Sequence, residues 1–76
     1  MIHEHDMVAL TVDLPERDLR RGDVGVVIDI TSTGKEVTLE FFTSDGESFA
    51  VVTLPAAHVR ALDDQDRTIE RVIRAS

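Results

Sequence analysis

Hydrophobic and polar positions alternate with a period of two along most of the first 62 residues. In residues 6–12, Val8, Leu10 and Val12 fall on one side and Met7, Ala9 and Thr11 on the other, which predicts a strand. Residues 24–30 predict a second strand. Its inward set is Val24, Val26, Ile28 and Ile30, and its outward set Gly25, Val27 and Asp29. Asp29 fixes that choice, because an unpaired buried carboxylate is costly. Residues 36–42 give a third strand with Val37, Leu39 and Phe41 inward. Residues 48–54 give a fourth with Ala50, Val52 and Leu54 inward, and residues 59–62 a short closing strand. Between the first two strands, residues 13–23 are polar and carry Pro15 and Gly22. They predict a long loop whose Leu14 and Leu19 tuck back onto the body. Residues 31–35 read as a turn. Ser44-Asp45-Gly46-Glu47 reads as a hairpin, since Asp-Gly suits the positive φ angles of tight turns. Residues 55–58 read as one helical turn.

The last segment has a different period. From Asp63 it begins acidic and ends basic at Arg71 and Arg74, the order a helix dipole favours. Ile69, Val72 and Ile73 share a face, and Glu70 and Arg74 form an i, i+4 pair. At about a dozen residues such a helix is marginal alone and needs a surface to lie on. The whole order is strand, long loop, three strands joined by hairpins, helical turn, short strand. It predicts a mainly β fold, a small five-stranded SH3-like barrel over residues 1–62, with a short C-terminal α-helix in a tail over residues 63–76.

Composition narrows the function classes. The chain has 76 residues, enough for one domain burying about 60% of its unfolded surface. With 42% hydrophobic and 30% charged residues it is globular in character. No apolar run reaches the roughly 18 residues of a membrane span. The start, Met1-Ile2-His3-Glu4-His5-Asp6, lacks a secretory pattern. There is no cysteine, which removes disulfides, thiolate metal sites and cysteine catalysis, and a cytoplasmic location is expected. Fifteen acids against eight bases give a net charge of −7, which disfavours binding to phosphate backbones.

Several stretches in order carry a resemblance: Asp6-Met-Val-Ala-Leu, Asp13-Leu-Pro-Glu, Leu19 before Gly22-Asp-Val-Gly, Val37-Thr-Leu-Glu-Phe, Asp45-Gly-Glu, Ala50-Val-Val-Thr-Leu, and Val59-Arg60. Over residues 4–62 the chain resembles a family of small bacterial proteins of unassigned function. The Gly22–Gly25 spacing is also seen in SH3-like and KOW-type domains. The resemblance implies an SH3-like barrel and carries no catalytic or ligand-binding residue with it.

Candidate chemistry is sparse. His3 and His5 at i, i+2 could share a strand face and bind a metal with Asp6 or His58 as third ligand; a solvated terminus is the expectation, with no metal and no cofactor. The acids Asp13, Glu16, Asp18, Asp23, Asp29, Glu36 and Glu40 fall in loops or at outward positions, and no serine sits in a Gly-x-Ser-x-Gly elbow, so a non-enzyme is expected. Gly22-Asp23-Val24-Gly25 lacks the Lys-Ser/Thr of a phosphate loop and reads as a turn followed by a strand bend. Arg17, Arg20 and Arg21 form a basic knot, diluted by Glu16, Asp18 and Asp23, with no Trp or Tyr for base stacking. A KOW-like RNA- or ribosome-associated domain is therefore the alternative reading. The leading one rests on apolar residues assigned outward: Val27, Phe42, Phe49 and Val51, matched by Ile69, Val72 and Ile73 of the tail. Soluble monomers rarely leave such a patch bare. The expectation is a non-enzymatic protein-interaction module that binds another protein or itself. An antitoxin-like or immunity-like neutraliser of a basic partner fits its acidity.

Overall fold

The computed structural model describes residues 2–62. Five strands form one antiparallel sheet: β1 (Met7–Leu10), β2 (Val24–Ile30), β3 (Glu36–Phe42), β4 (Ser48–Pro55) and β5 (Val59–Ala61), in the spatial order β4-β3-β2-β1-β5. The fold is mainly β, as expected. β4 and β5 are the two edges and, among the described residues, no pairing joins them, so the sheet is not closed as the barrel expectation required. Two single turns of 3-10 helix, Pro15–Arg17 and Ala56–His58, interrupt the loops. The tail helix, with Ile69, Val72 and Ile73, lies outside the described residues.

Local sequence explains the connections. Gly46 has φ +85° in the β3–β4 hairpin, a conformation that suits glycine. The loop between β1 and β2 is itself a small hairpin. Leu14 N–H donates to the Leu19 carbonyl at 2.9 Å, and Leu19 N–H to the Leu14 carbonyl at 3.1 Å. Leu19 is buried in the main core and Leu14 packs against it, so both leucines tuck back as the sequence predicted.

One apolar cluster draws on every strand: Val8 and Leu10 of β1, Val27 of β2, Val37, Leu39 and Phe41 of β3, Leu54 of β4 and Val59 of β5, with Leu19 from the loop. Side chains from both edge strands meet in it, so the sheet curls around this face. Ala9, Val24 and Leu62 form a second, smaller cluster on the opposite face, with Met7 against it.

The alternation read for β3 holds. That read for β2 does not. Val27 is fully buried, whereas Ile28 is 41% exposed and Val26 is half-buried on the outer face. The register gives the reason. Val26 pairs with Glu40 and Val27 with Leu39, but Asp29 pairs with Thr38 and Ile30 with Val37. Ile28 has no opposite residue and is a β-bulge, which shifts the alternation by one. Asp29 does point outward and Ile30 does face the core, so the anchor was sound. Extrapolating from it back through the bulge inverted the N-terminal half of the strand.

Gly25 therefore faces inward. It lies opposite Val8 of β1 and under the Phe41 ring. A Cβ there would sit 2.9 Å from Phe41 Cε2, inside van der Waals contact. Glycine at this position is a steric requirement of the ring rather than a device for bending the strand. Two outcomes follow for urea unfolding. Phe41→Ala should destabilise by about 3–5 kcal/mol, as for other buried Phe truncations. Gly25→Ala should cost about 1–3 kcal/mol by overpacking, and the cost should shrink when combined with Phe41→Leu. A Gly25→Ala loss that is unchanged by Phe41→Leu would break the assigned contact.

Candidate interaction surface

The outer end of the β3–β4 hairpin gathers the exposed apolar side chains. Phe41 pairs with Ala50 and Phe42 with Ser48, leaving Phe49 without an opposite residue. This second bulge re-aims Phe49, which is 37% exposed. Val51 lies opposite Glu40 on the outer face and is 45% exposed, and Phe42 is half-buried on the same strand face as Glu40. Of the residues assigned to an interface, Phe42 and Phe49 border one cavity, and Val51 is exposed further along β4. Val27 is removed from the surface, because the bulge at Ile28 sends it into the core. Ile69, Val72 and Ile73 lie outside the described residues. Ile28 is exposed, a position the alternation missed; it sits on β2, separated from β4 by β3, and does not extend the patch.

Phe42 and Phe49 border a cavity with Leu19, Asp23, Val24, Phe41 and Thr43. Its volume of about 20 Å³ has room for a single water and falls far short of an organic ligand. A wider groove runs beside it between Pro15, Glu16, Arg17 and Asp18 of the loop and Phe49 and Ala50 of β4. One contact fixes the loop against the strand: the Arg17 guanidinium donates a hydrogen bond to the Val51 carbonyl. Glu16 and Asp18 are exposed along this groove, and Asp45 and Glu47 are exposed in the turn between β3 and β4.

The acids of the long loop have structural work. Asp23 is buried, and its Oδ2 accepts the Arg20 backbone N–H at 2.8 Å. Asp13 Oδ1 accepts the Arg21 N–H at 2.9 Å. Two members of the basic knot thus enter through their backbones, and the third spends its side chain on β4. The Gly22–Gly25 stretch is accounted for by the Asp23 cap and by the Gly25–Phe41 contact.

The histidines do not share a strand face. Glu4 and His5 occupy a turn, and His5 has φ +74°. Asp6 Oδ2 accepts the His3 backbone N–H at 2.9 Å and lies 3.8 Å from His3 Nδ1. His5 N–H donates to the Val27 carbonyl and Val27 N–H to the Asp6 carbonyl, at 2.7 and 2.9 Å, so this segment continues the β1–β2 ladder. Among the described residues no three His, Cys, Asp or Glu side chains gather as metal ligands do. No helix among them is long and apolar enough to cross a membrane.

The family whose model matches residues 4–61 is described as a domain of unknown function, DUF4926. That span covers most of the chain, and the chain belongs to this family. No curated protein matches it, and no solved structure matches it.

The Asp23 cap generates an expectation. Asp23→Ala leaves the Arg20 N–H without its carboxylate and should cost about 1–3 kcal/mol, while Asp23→Asn, which keeps an acceptor, should cost less. Chemical denaturation of the two variants checks this. Equal losses would place the role of Asp23 elsewhere.

Proposed function

We propose that the domain is a non-enzymatic, SH3-like protein-interaction module, acting in the cytoplasm as an antitoxin-like or immunity-like neutraliser of a basic partner protein. The observation that carries the reading is the exposed Phe49 beside the groove of the long loop. A large apolar side chain turned outward by a bulge, in a chain this small, is a candidate anchor of an interface. The strand order β4-β3-β2-β1-β5, the long loop after β1 and the 3-10 turn before β5 support the SH3-like placement. The exposed Glu16 and Asp18 along the groove, together with a net charge of −7, support a basic partner, since charge complementarity speeds encounter and excludes like-charged competitors.

The test is capture from a bacterial host that encodes the chain, comparing wild type with Phe49→Asp, followed by reconstitution of the captured protein as a purified binary complex. A basic protein held by the wild type, lost with Phe49→Asp and released by added salt is the expected result. A partner bound equally by both proteins would move the interface away from Phe49. Generic RNA and duplex DNA should show no binding at micromolar protein and physiological salt. A micromolar shift that weakens steeply with salt would support an RNA-associated role instead.

A further inference from the structure

The outer face of β1 and β2 is apolar where the described chain ends. Met7 lies opposite Val26, and Ala9 opposite Val24. Met7 and Val26 are half-buried, and the bulge leaves Ile28 41% exposed. The charged groups near them are Glu40, opposite Val26 on β3, and Asp29, next to Ile28. Leu62, the last described residue, is buried in the small cluster with Ala9 and Val24, against which Met7 packs. The chain therefore leaves the described domain on this face, beside β1, and away from the main core.

Residues 63–76 follow Leu62, and their composition suits the surface at which they start. Ile69, Val72 and Ile73 are the large apolar residues among them, spaced as one face of a helix. Arg67, Arg71 and Arg74 are three of the eight bases in a chain of net charge −7. The stretch that carries the apolar stripe is thus also the basic part of an acidic molecule, and its charge is drawn to a sheet that carries Asp29 and Glu40. The reach is sufficient. Neighbouring strands lie about 4.8 Å apart, so β1 to β3 is about 10 Å. The seven residues from Leu62 to Ile69 cover about that distance even at the rise of a helix.

We propose that residues 63–76 fold back across the outer face of β1 and β2, and that Ile69, Val72 and Ile73 pack on Met7, Val26 and Ile28 of the same chain. A segment this short is marginal as a helix in water and needs such a surface. The sheet in turn gains a cover for its outward apolar groups. The tether favours the chain's own tail over that of a second copy, because a short linker holds the two at an effective concentration in the millimolar range. The inner face offers no competing site: Val8, Leu10, Val27 and Leu39 are already buried there in the main cluster. The contact uses β1 and β2 and leaves the Phe49 groove of β4 open, so the inference goes beyond the proposed partner reading without resting on it.

The chain has no cysteine, so a single introduced thiol reports how well its surroundings are covered. The experiment measures the alkylation rate of Val26→Cys in the full chain, alone and combined with Ile69→Asp and Ile73→Asp. Ser32→Cys, in the turn between β2 and β3, is the control. The two tail substitutions should speed alkylation of Val26→Cys about tenfold or more and leave Ser32→Cys within about twofold. Met7→Cys, on the neighbouring strand, gives the same comparison if Val26→Cys unfolds the sheet. Urea unfolding supplies a second readout. Ile73→Ala should lower the midpoint of the wild type and have no effect once Ile28→Asp is present, as expected for two side chains in contact. Alkylation that ignores the tail substitutions, or an Ile73→Ala effect that persists with Ile28→Asp, would overturn the proposal. So would protection that grows with protein concentration, which would give the face to the tail of a second copy. None of these variants touches Phe49, so partner capture through its groove is decided separately.

Discussion

The placement of the core rests on one extra residue. Without a bulge at Ile28, β2 could not present both Val27 and Ile30 to the same face, because they are an odd number of residues apart. The bulge lets Val27 meet Leu39 and Ile30 meet Val37 while Asp29 remains in water. It also determines the other half of the strand. Once Val27 is inside, Gly25 is inside, and the Phe41 ring occupies the volume that a side chain at 25 would fill. A domain of this size has few core residues to spend, and Phe41 is its largest buried side chain. A substitution at Gly25 is therefore felt across β1, β2 and β3 together.

The second bulge works in the opposite direction. At Ile28 the extra residue keeps the core in phase; at Phe49 it throws an aromatic ring outward next to the loop that follows β1. That loop is held by its own leucine pair and by the carboxylates of Asp13 and Asp23, so its tip is a positioned element. Arg17 at the tip reaches β4, and the exposed hairpin end, the groove and the strand edge become parts of one structure. Bulges commonly sit where a strand must re-aim a side chain, and here both exposed aliphatic and aromatic residues of the paired strands' bulges, Ile28 and Phe49, are the unpaired ones.

Much of this was legible in the sequence. The five strands, the Asp-Gly hairpin, the tucked leucines and the inward face of β3 all follow from periodicity and turn chemistry, because each depends on neighbours a few residues away. The outward positions of Phe49 and Val51 were legible too. The assignment of Val27 was not. A bulge leaves no mark in a run such as Val24-Gly-Val-Val-Ile-Asp-Ile, where Asp29 fixes the phase only at its own end and Val26, Val27 and Ile28 suit either face, so only the long-range register with β3 places them. The role of Gly25 was hidden for the same reason, since the ring that needs the space lies sixteen positions away. A signal was present in hindsight: a glycine in a strand core often marks the close approach of another group, and Phe41 was the only inward aromatic on the neighbouring strand. Closure of the sheet was over-read, because element order fixes neighbours without fixing whether the edges meet.

Charge and packing act over different distances. A net charge of −7 repels any like molecule at long range, with a screening length of about 8 Å at physiological ionic strength. β4 itself carries no charged residue while β2, β3 and β5 each carry at least one, and the Arg17 guanidinium of the loop sits on its Val51 carbonyl. Added salt relieves the repulsion between copies, but it also screens the attraction between the acidic chain and a basic partner. On the proposed reading, the apolar contact at Phe49 would act at touching distance, while the field of the whole chain would favour a basic protein at longer range.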